Sequence, residues 1–458
     1  MRVETIKTTQ LKNTNGVFVG CLICIVLSLS VVIRSTPQVS IAQSNRLDEI
    51  KAVTLEARPG GGGILVKAAG SGQEDAQCCE VDGLMPAPII DDVGLYVVAA
   101  TMGRILDSEF KEIHLFRLLL GAWVLGVVAV SLFISRRYGR KLSVVVASIL
   151  LLALLYRHIF DELPFVSYGT RTGGDLFYGL QSALSFLGLG LALLTAESAL
   201  LRNSGWTKIL MYIFGIVVIS STELVRSGAI LWMPSIFIWA THQIPKRRLW
   251  FHVCVTSVVA WLGSKLMLLA IALLRYAQTG IEVGLSTLSH PIWHTLYLGL
   301  AYTRDGSLND FGVQWSDNWL YSQVVESNPN VILHSTEYTV QVRDWFIQAV
   351  TQNPWLWLEV TWWKLIGAVE TSWQEFLIGV SLVAIFILLK RRTPHRSRLL
   401  MLALVGSISP LIIAWPLPIY LGFALPLFHT LSIMGLFSVT SELKFQRRRR
   451  LLAPRSLE

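Results

Sequence analysis

The chain carries the run LWFHVCVTSVVAWLGSKLMLLAIALL at residues 249–274, directly after the basic triplet Lys246-Arg247-Arg248. Lys265 is the single lysine, arginine, aspartate or glutamate in this run. The run exceeds the roughly 20 apolar residues that a helix needs to cross the hydrocarbon core of a bilayer. Basic residues at one end of such a run are typical of the cytoplasmic side of a membrane. This stretch therefore predicts a helical membrane protein.

Comparable runs recur along the chain, which is 53% hydrophobic and only 15% charged. They predict an all-α fold, a polytopic membrane protein with about ten transmembrane helices. The predicted spans are Gly16 to Ile33, Leu115 to Ile134, Leu142 to Tyr156, Leu176 to Leu201, Ile209 to Ser221, Ala229 to Thr241, Leu249 to Leu274, Phe376 to Leu389, Leu399 to Trp415 and Ile419 to Thr440. We interpret the first run as an uncleaved anchor rather than a signal peptide, because it is long.

The positions of the basic residues behind the net charge of +9 indicate the membrane topology. Basic clusters follow the second, sixth, eighth and tenth predicted spans, and the pattern predicts a multi-pass protein with both termini in the cytoplasm. Membrane lipids are expected partners of these clusters, and nucleic acid is not. The predicted segments are a tail and first span (1–34), a first extracytoplasmic loop (35–114), spans two to seven (115–274), a large extracytoplasmic loop (275–374), spans eight to ten (375–440) and a basic cytoplasmic tail (441–458).

Both long extracytoplasmic loops contain a predicted juxtamembrane helix. In the first loop a Gly-rich stretch, Gly60 to Gly63, is interpreted as a flexible linker. An apolar stripe that includes Leu95 and Met102 follows, which predicts a helix along the membrane surface. In the large loop, Asn353-Pro354 is a helix start signal, and the Trp-rich stripe after it belongs at the level of the lipid headgroups.

Asp91 and Asp92 stand at the start of the first of these helices and are the candidate catalytic residues. A carboxylate at this place can accept the proton of an attacking sugar hydroxyl, or hold a divalent cation that polarises a donor phosphate. The same residues can instead cap the helix, because free N–H groups and the helix dipole favour an acid there. Spacing alone leaves both interpretations open.

Other polar residues at the predicted outer face are candidates for substrate binding. Arg226 and Lys265 lie near the outer ends of spans, where a buried charge is costly without an anionic partner such as a lipid phosphate. Solvation of Arg226, and snorkelling of Lys265 or its pairing with Glu282, are the alternatives. Asp175 could supply a second carboxylate to the site, or simply cap a helix.

The large loop contributes the segment HPIWHTLYLG at residues 290–299. His290, His294 and Tyr297 are candidate sugar contacts, because aromatic faces suit sugar rings and polar edges bond hydroxyls. A metal site is not predicted here, since Pro291 disfavours a helix through His290 and no third ligand stands at a typical spacing.

The stretch DDVGLYVVAA at residues 91–100 resembles the acidic pair and following helix of bacterial GT-C membrane glycosyltransferases. These multispan enzymes are similar to protein mannosyltransferases and aminoarabinose transferases, and the family has its acidic pair in the first extracytoplasmic loop. The segment Asn353 to Lys364 and the span around Tyr420 and Pro426 are similar to that family as well. The sequence departs from the family in having Asp rather than Glu at position 92, and in the long Gly-rich stretch before the pair.

The resemblance implies a transferase in the bacterial cytoplasmic membrane that moves a sugar from a polyprenyl-phosphate donor to a lipid, glycan or protein acceptor. Asp91 or Asp92 would supply the catalytic carboxylate, and no cofactor other than a divalent cation is implied. An O-antigen ligase or polymerase that uses the large late loop is the alternative enzyme. A transporter or flippase is the alternative from another class, although transporters usually carry more ionisable residues within their spans.

Overall fold

The computed structural model describes the chain in segments. These are Ile50, Val53 and residues 65–68, 84–86, 93–106, 112–138, 176–201, 205–225, 227–241, 248–280, 285, 292–303, 309–331, 333, 335–367, 398–403 and 405–407. Within them the fold is helical apart from one short two-stranded ribbon.

Six helices form the first part of the structure. They are α1 (Val93–Leu106), α2 (Glu112–Tyr138), α3 (Leu176–Leu201), α4 (Gly205–Val225), α5 (Met233–Ala240) and α6 (Leu249–Thr279). Three helices are long and apolar enough to cross a membrane: α2 over Arg117–Arg136, and the whole of α4 and α6. These three coincide with predicted spans, as expected of a helical membrane protein. Helix α3 has the predicted bounds. Apart from the span over Ala229 to Thr241, the remaining predicted spans lie wholly or partly outside the described residues.

The predicted span over Ala229 to Thr241 is wrong as a single helix. A 3-10 turn, Ala229–Leu231, is followed by the eight-residue helix α5. At a rise of 1.5 Å per residue α5 is about 12 Å long, too short to cross a hydrocarbon core of about 30 Å. Pro234 in the first turn of α5 explains the break, because proline starts a helix more readily than it continues one.

A short ribbon accompanies the helices among the described residues. Strand β1 (Val66–Ala68) pairs antiparallel with β2 (Leu84–Pro86), with Lys67 opposite Met85. Both strands belong to the first predicted loop, shortly after the Gly-rich stretch. Three residues are too few to show the alternating pattern by which a strand is recognised in a sequence.

Small residues let the helices of the bundle approach closely. Helix α2 packs along α3, α3 along α4, and α4 along α6. A Cβ atom added to Gly188 would lie 2.1 Å from the Thr222 hydroxyl oxygen, and one added to Gly263 would lie 2.6 Å from that of Ser220. Ser220 also donates a hydrogen bond of 2.9 Å to the carbonyl of Ala260, which joins α4 to α6. Such contacts are the usual means of helix association in membranes.

The outward faces of α4 and α6 are apolar. Only 33% of the most hydropathic window of α4 and 22% of that of α6 is buried, against 56% for α2. Exposed side chains on these helices include Phe214, Val258, Leu266 and Leu273. A large exposed apolar surface is unfavourable in water and suits contact with lipid.

A second hydrophobic core lies within the predicted large loop, and we call its residues 292–303, 309–331 and 335–367 the loop domain. It contains α7 (Ile292–Leu298), α8 (Asp317–Ser327), α9 (Thr336–Gln352) and α10 (residues 354–367). Ser316 and Ser335 cap α8 and α9, each accepting a hydrogen bond from the backbone N–H three residues on. The core of the loop domain is formed by Leu298, Leu300, Ala301, Val313, Leu320, Val324, Val331, Tyr338 and Val342.

Helix α10 has one buried face and one exposed apolar face. Val360 and Lys364 are buried, whereas the side chains of Trp355 and Trp362 are 81% and 58% exposed. The exposed face is the stripe that the sequence assigns to the lipid headgroups, and that location stays a prediction. Burial lowers the pKa of Lys364 to about 7, since desolvation disfavours the charged ammonium.

Candidate functional site

The start of α1 lies directly against the end of α4. A Cβ atom added to Gly94 would be 2.6 Å from the carbonyl carbon and oxygen of Leu224 and from the backbone nitrogen of Val225. Only a glycine allows two backbones to approach this closely. In the sequence, Gly94 is two residues after Asp92, and Val225 is directly before Arg226. A residue close to the acidic pair is therefore in contact with a residue next to Arg226.

This contact gives a test of the fold. We expect Gly94→Ala to lower the stability by about 1–3 kcal/mol, because the methyl group meets backbone atoms that cannot rotate away. Gly121→Ala in α2 is the matched control, since a Cβ atom there meets nothing within 4 Å. Alanine at that helical position should stabilise by up to about 1 kcal/mol. Thermal unfolding of the purified variants in detergent measures both changes in stability. Equal effects of Gly94→Ala and Gly121→Ala would contradict the close contact.

A carboxylate organises the turn that follows α4. Glu223 accepts hydrogen bonds from the backbone N–H of Ile230 at 2.9 Å and of Gly228 at 3.1 and 3.2 Å. Gly228 has a φ of 101°, a left-handed conformation that favours glycine. Glu223, in the last turn of α4, thus binds the backbone of the sharp turn that leads to α5. In the sequence, Arg226 stands at the start of that turn.

Lys265 belongs to the same end of the bundle. It lies on α6 and interacts electrostatically with the Glu223 carboxylate. The sequence pointed to Glu282 or a lipid phosphate as its partner, and the structure adds Glu223. An ionisable residue within an apolar helix is costly to bury, which makes Lys265 a candidate functional residue.

The loop domain contains a second cluster of polar side chains around His294. This residue lies on α7, and its side chain is 0% exposed. Its Nδ1 atom forms a hydrogen bond with the Tyr338 hydroxyl, and its Nε2 atom lies 2.9 Å from Oδ1 of Asp317. The ring of Tyr321 completes the cluster at a centroid distance of 5.4 Å from the imidazole.

The donors and acceptors of this cluster are satisfied when Nε2 of His294 donates to Asp317, because an ionised carboxylate can only accept. Nδ1 can then accept the proton of the Tyr338 hydroxyl. Burial raises the pKa of Tyr338, and the neighbouring Tyr321 and Asp317 raise it further. The tyrosine therefore stays protonated and serves as a donor at neutral pH.

A deletion of one hydroxyl tests this arrangement. Tyr338→Phe would leave the buried Nδ1 atom of His294 without its donor, and we expect a loss of about 1–3 kcal/mol of stability. Tyr276→Phe, at a ring on α6 that is 53% exposed, is the control and should change little. Thermal unfolding of both variants in lipid nanodiscs would measure the difference, and an unaffected Tyr338→Phe protein would refute the buried hydrogen bond.

The structure describes three of the residues predicted for the site. Lys265 lies in the bundle, whereas His294 and Tyr297 lie together on α7 in the loop domain. The Tyr297 ring is nearly parallel to that of Trp319, with an interplanar angle of 12°. Asp91, Asp92, Asp175, Arg226 and His290 lie outside the described residues. Every one of the predicted roles stays a prediction.

Four residues of these two clusters were missed in the sequence, namely Glu223, Asp317, Tyr321 and Tyr338. Glu223 could have been found, because it is the one acidic residue in the apolar sequence of α4. Asp317 and Tyr338 could not, since they reach His294 across 23 and 44 residues of chain and only their helix caps are visible locally. In the described part of the chain, no three His, Cys, Asp or Glu side chains are grouped as a metal site would require.

Comparisons with protein-family models, with curated proteins and with solved structures found no match to this chain.

Proposed function

We propose that the protein is a membrane glycosyltransferase that moves a sugar from a polyprenyl-phosphate donor to a lipid, glycan or protein acceptor at the outer face of a bacterial cytoplasmic membrane. The observation that carries this proposal is the backbone contact of Gly94 with Leu224 and Val225. Gly94 follows the acidic pair in the chain, and Val225 directly precedes Arg226, the predicted phosphate-binding arginine. A base and an anion-binding cation at one end of a helix bundle are the two groups that this transfer needs.

Each group has a defined task in the proposed reaction. Asp91 or Asp92 accepts the proton of the acceptor hydroxyl, whose oxygen then attacks the anomeric carbon of the donor sugar. The bond from that carbon to the phosphate oxygen breaks, and the lipid phosphate leaves with its negative charge. Arg226 and Lys265 stabilise that charge through charge-assisted hydrogen bonds. Glu223 supports both cations, since it holds the turn after Arg226 and attracts Lys265.

An assay on membranes tests the proposed activity. Vesicles that contain the protein are supplied with a panel of radiolabelled polyprenyl-phosphate sugars, and label is followed into lipid, glycan and protein fractions. We expect protein-dependent transfer from at least one donor. Absence of transfer from every donor, with the protein folded and inserted, would overturn the proposal.

A glycan ligase is a second candidate, favoured by the buried His294 that holds an exposed carboxylate in the loop domain. In that enzyme the residues of the loop domain would be essential and the acidic pair dispensable. The donor would carry a preassembled glycan, so supplying polyprenyl-diphosphate glycans beside the single-sugar donors distinguishes the two enzymes.

A further inference from the structure

The polar cluster of the loop domain runs from its core to its surface. Tyr338 and His294 are both 0% exposed, whereas the Asp317 side chain is 54% exposed. Two polar groups have thus been removed from water, and the chain of hydrogen bonds that they form ends on a surface carboxylate. Burial of polar groups is costly unless they are bonded, so such a network fixes its members in single positions.

This arrangement orients Asp317 more firmly than an ordinary surface aspartate. Ser316 directly before it caps α8, which fixes the backbone. The His294 Nε2–H group binds one carboxylate oxygen at 2.9 Å, which fixes the side chain. A surface acid whose role is only solubility needs neither constraint, whereas a binding group gains from being held in place before the ligand arrives.

Partly exposed aromatic residues flank Asp317 in the sequence, and the ring of Tyr321 lies beside the His294 imidazole that binds it. Trp315, Trp319 and Tyr321 are all within four residues of Asp317, and all three are partly exposed at the edge of the core. Tyr297 on α7 adds a ring parallel to that of Trp319, with the centroids 6.5 Å apart. Partly exposed Tyr and Trp rings combine an apolar face with a polar O–H or N–H group.

We propose that Asp317 is the polar anchor of a carbohydrate-binding subsite in the loop domain. The carboxylate accepts hydrogen bonds from two neighbouring sugar hydroxyls, and the rings beside it pack against the apolar face of the pyranose. This inference rests on the proposed transferase function and names where the glycan is held. It also transfers the substrate contact predicted for His294 to its exposed neighbour, with His294 and Tyr338 as positioning residues.

The test measures sugar binding rather than transfer. Saturation-transfer NMR is recorded for the full-length protein in nanodiscs, with methyl glycosides of glucose, mannose, galactose and N-acetylglucosamine as probes. We expect at least one glycoside to bind, and Asp317→Asn to weaken its binding about 10-fold or more, because a charged acceptor is lost while the shape is kept. Asp344→Asn is the matched control, since Asp344 is 58% exposed in the same domain and pairs with Arg343.

Thermal unfolding of the same samples separates binding from folding. Asp317→Asn should retain the unfolding temperature of the unmodified protein, because an amide oxygen can still accept from His294. The inference is overturned if no glycoside binds the unmodified protein, or if Asp317→Asn binds as well as Asp344→Asn. Sugar binding without transfer activity in the membrane assay would leave this subsite standing and refute the transferase alone.

Discussion

Turnover in the variant Asp91→Asn, Asp92→Asn should fall roughly 10²-fold or more while the protein still inserts and folds. The reason is that an amide cannot accept the proton of the acceptor hydroxyl at neutral pH. The measurement is the initial rate of sugar transfer from a labelled polyprenyl-phosphate donor in membranes that contain equal amounts of each protein. The two single variants then identify which aspartate is the base.

The choice of asparagine separates catalysis from helix capping. Helix α1 begins at Val93, so Asp92 is the residue directly before its first turn. Asparagine caps a helix about as well as aspartate, whereas alanine caps poorly and costs about 1 kcal/mol. If the pair only caps α1, the asparagine variants retain full turnover and the alanine variants lose stability alone. Full turnover in the double asparagine variant would therefore eliminate the catalytic role.

Much of the membrane architecture could be predicted because apolar length is a local property. The run at residues 249–274 lies within helix α6, and α3 has its predicted bounds. The error at residues 229–241 has a physical origin, because composition does not report where Pro234 restarts the helix. A buried short helix and a spanning one are equally apolar, so hydropathy cannot distinguish them.

The site was less accessible from the sequence because its contacts are long-range. The sequence singled out His294, but its partners Asp317 and Tyr338 are on other helices and carry no shared motif. The contact at Gly94 depends on the absence of a side chain, and a glycine in the first turn of a helix has many explanations. Lys265 was identified because a charged residue within an apolar run is unusual. Glu223 was not identified, because it is in the last turn of its helix, next to a predicted loop.

Loss of either predicted phosphate-binding cation should weaken the use of the donor. Arg226→Ala or Lys265→Met should each lower kcat/KM for the donor roughly 10- to 150-fold, since one charge-assisted contact is worth about 1.5–3 kcal/mol. The KM of the donor should rise more than that of the acceptor. Arg104→Ala is the control, because Arg104 is an exposed cation in the last turn of α1.

The interaction of Lys265 with Glu223 offers a stricter version of this experiment. If Lys265 serves only to balance the Glu223 carboxylate, then Glu223→Gln should repair the defect of Lys265→Met, because no unbalanced charge remains. If Lys265 binds the donor phosphate, the double variant should stay as impaired as Lys265→Met, since the lost contact is with the substrate. Donor kinetics of the two single variants and the double variant complete the cycle.

Repair by Glu223→Gln, or an unchanged donor KM in Lys265→Met, would show that the phosphate is bound elsewhere. Arg275, which is buried near the end of α6, would then be the next cation to test.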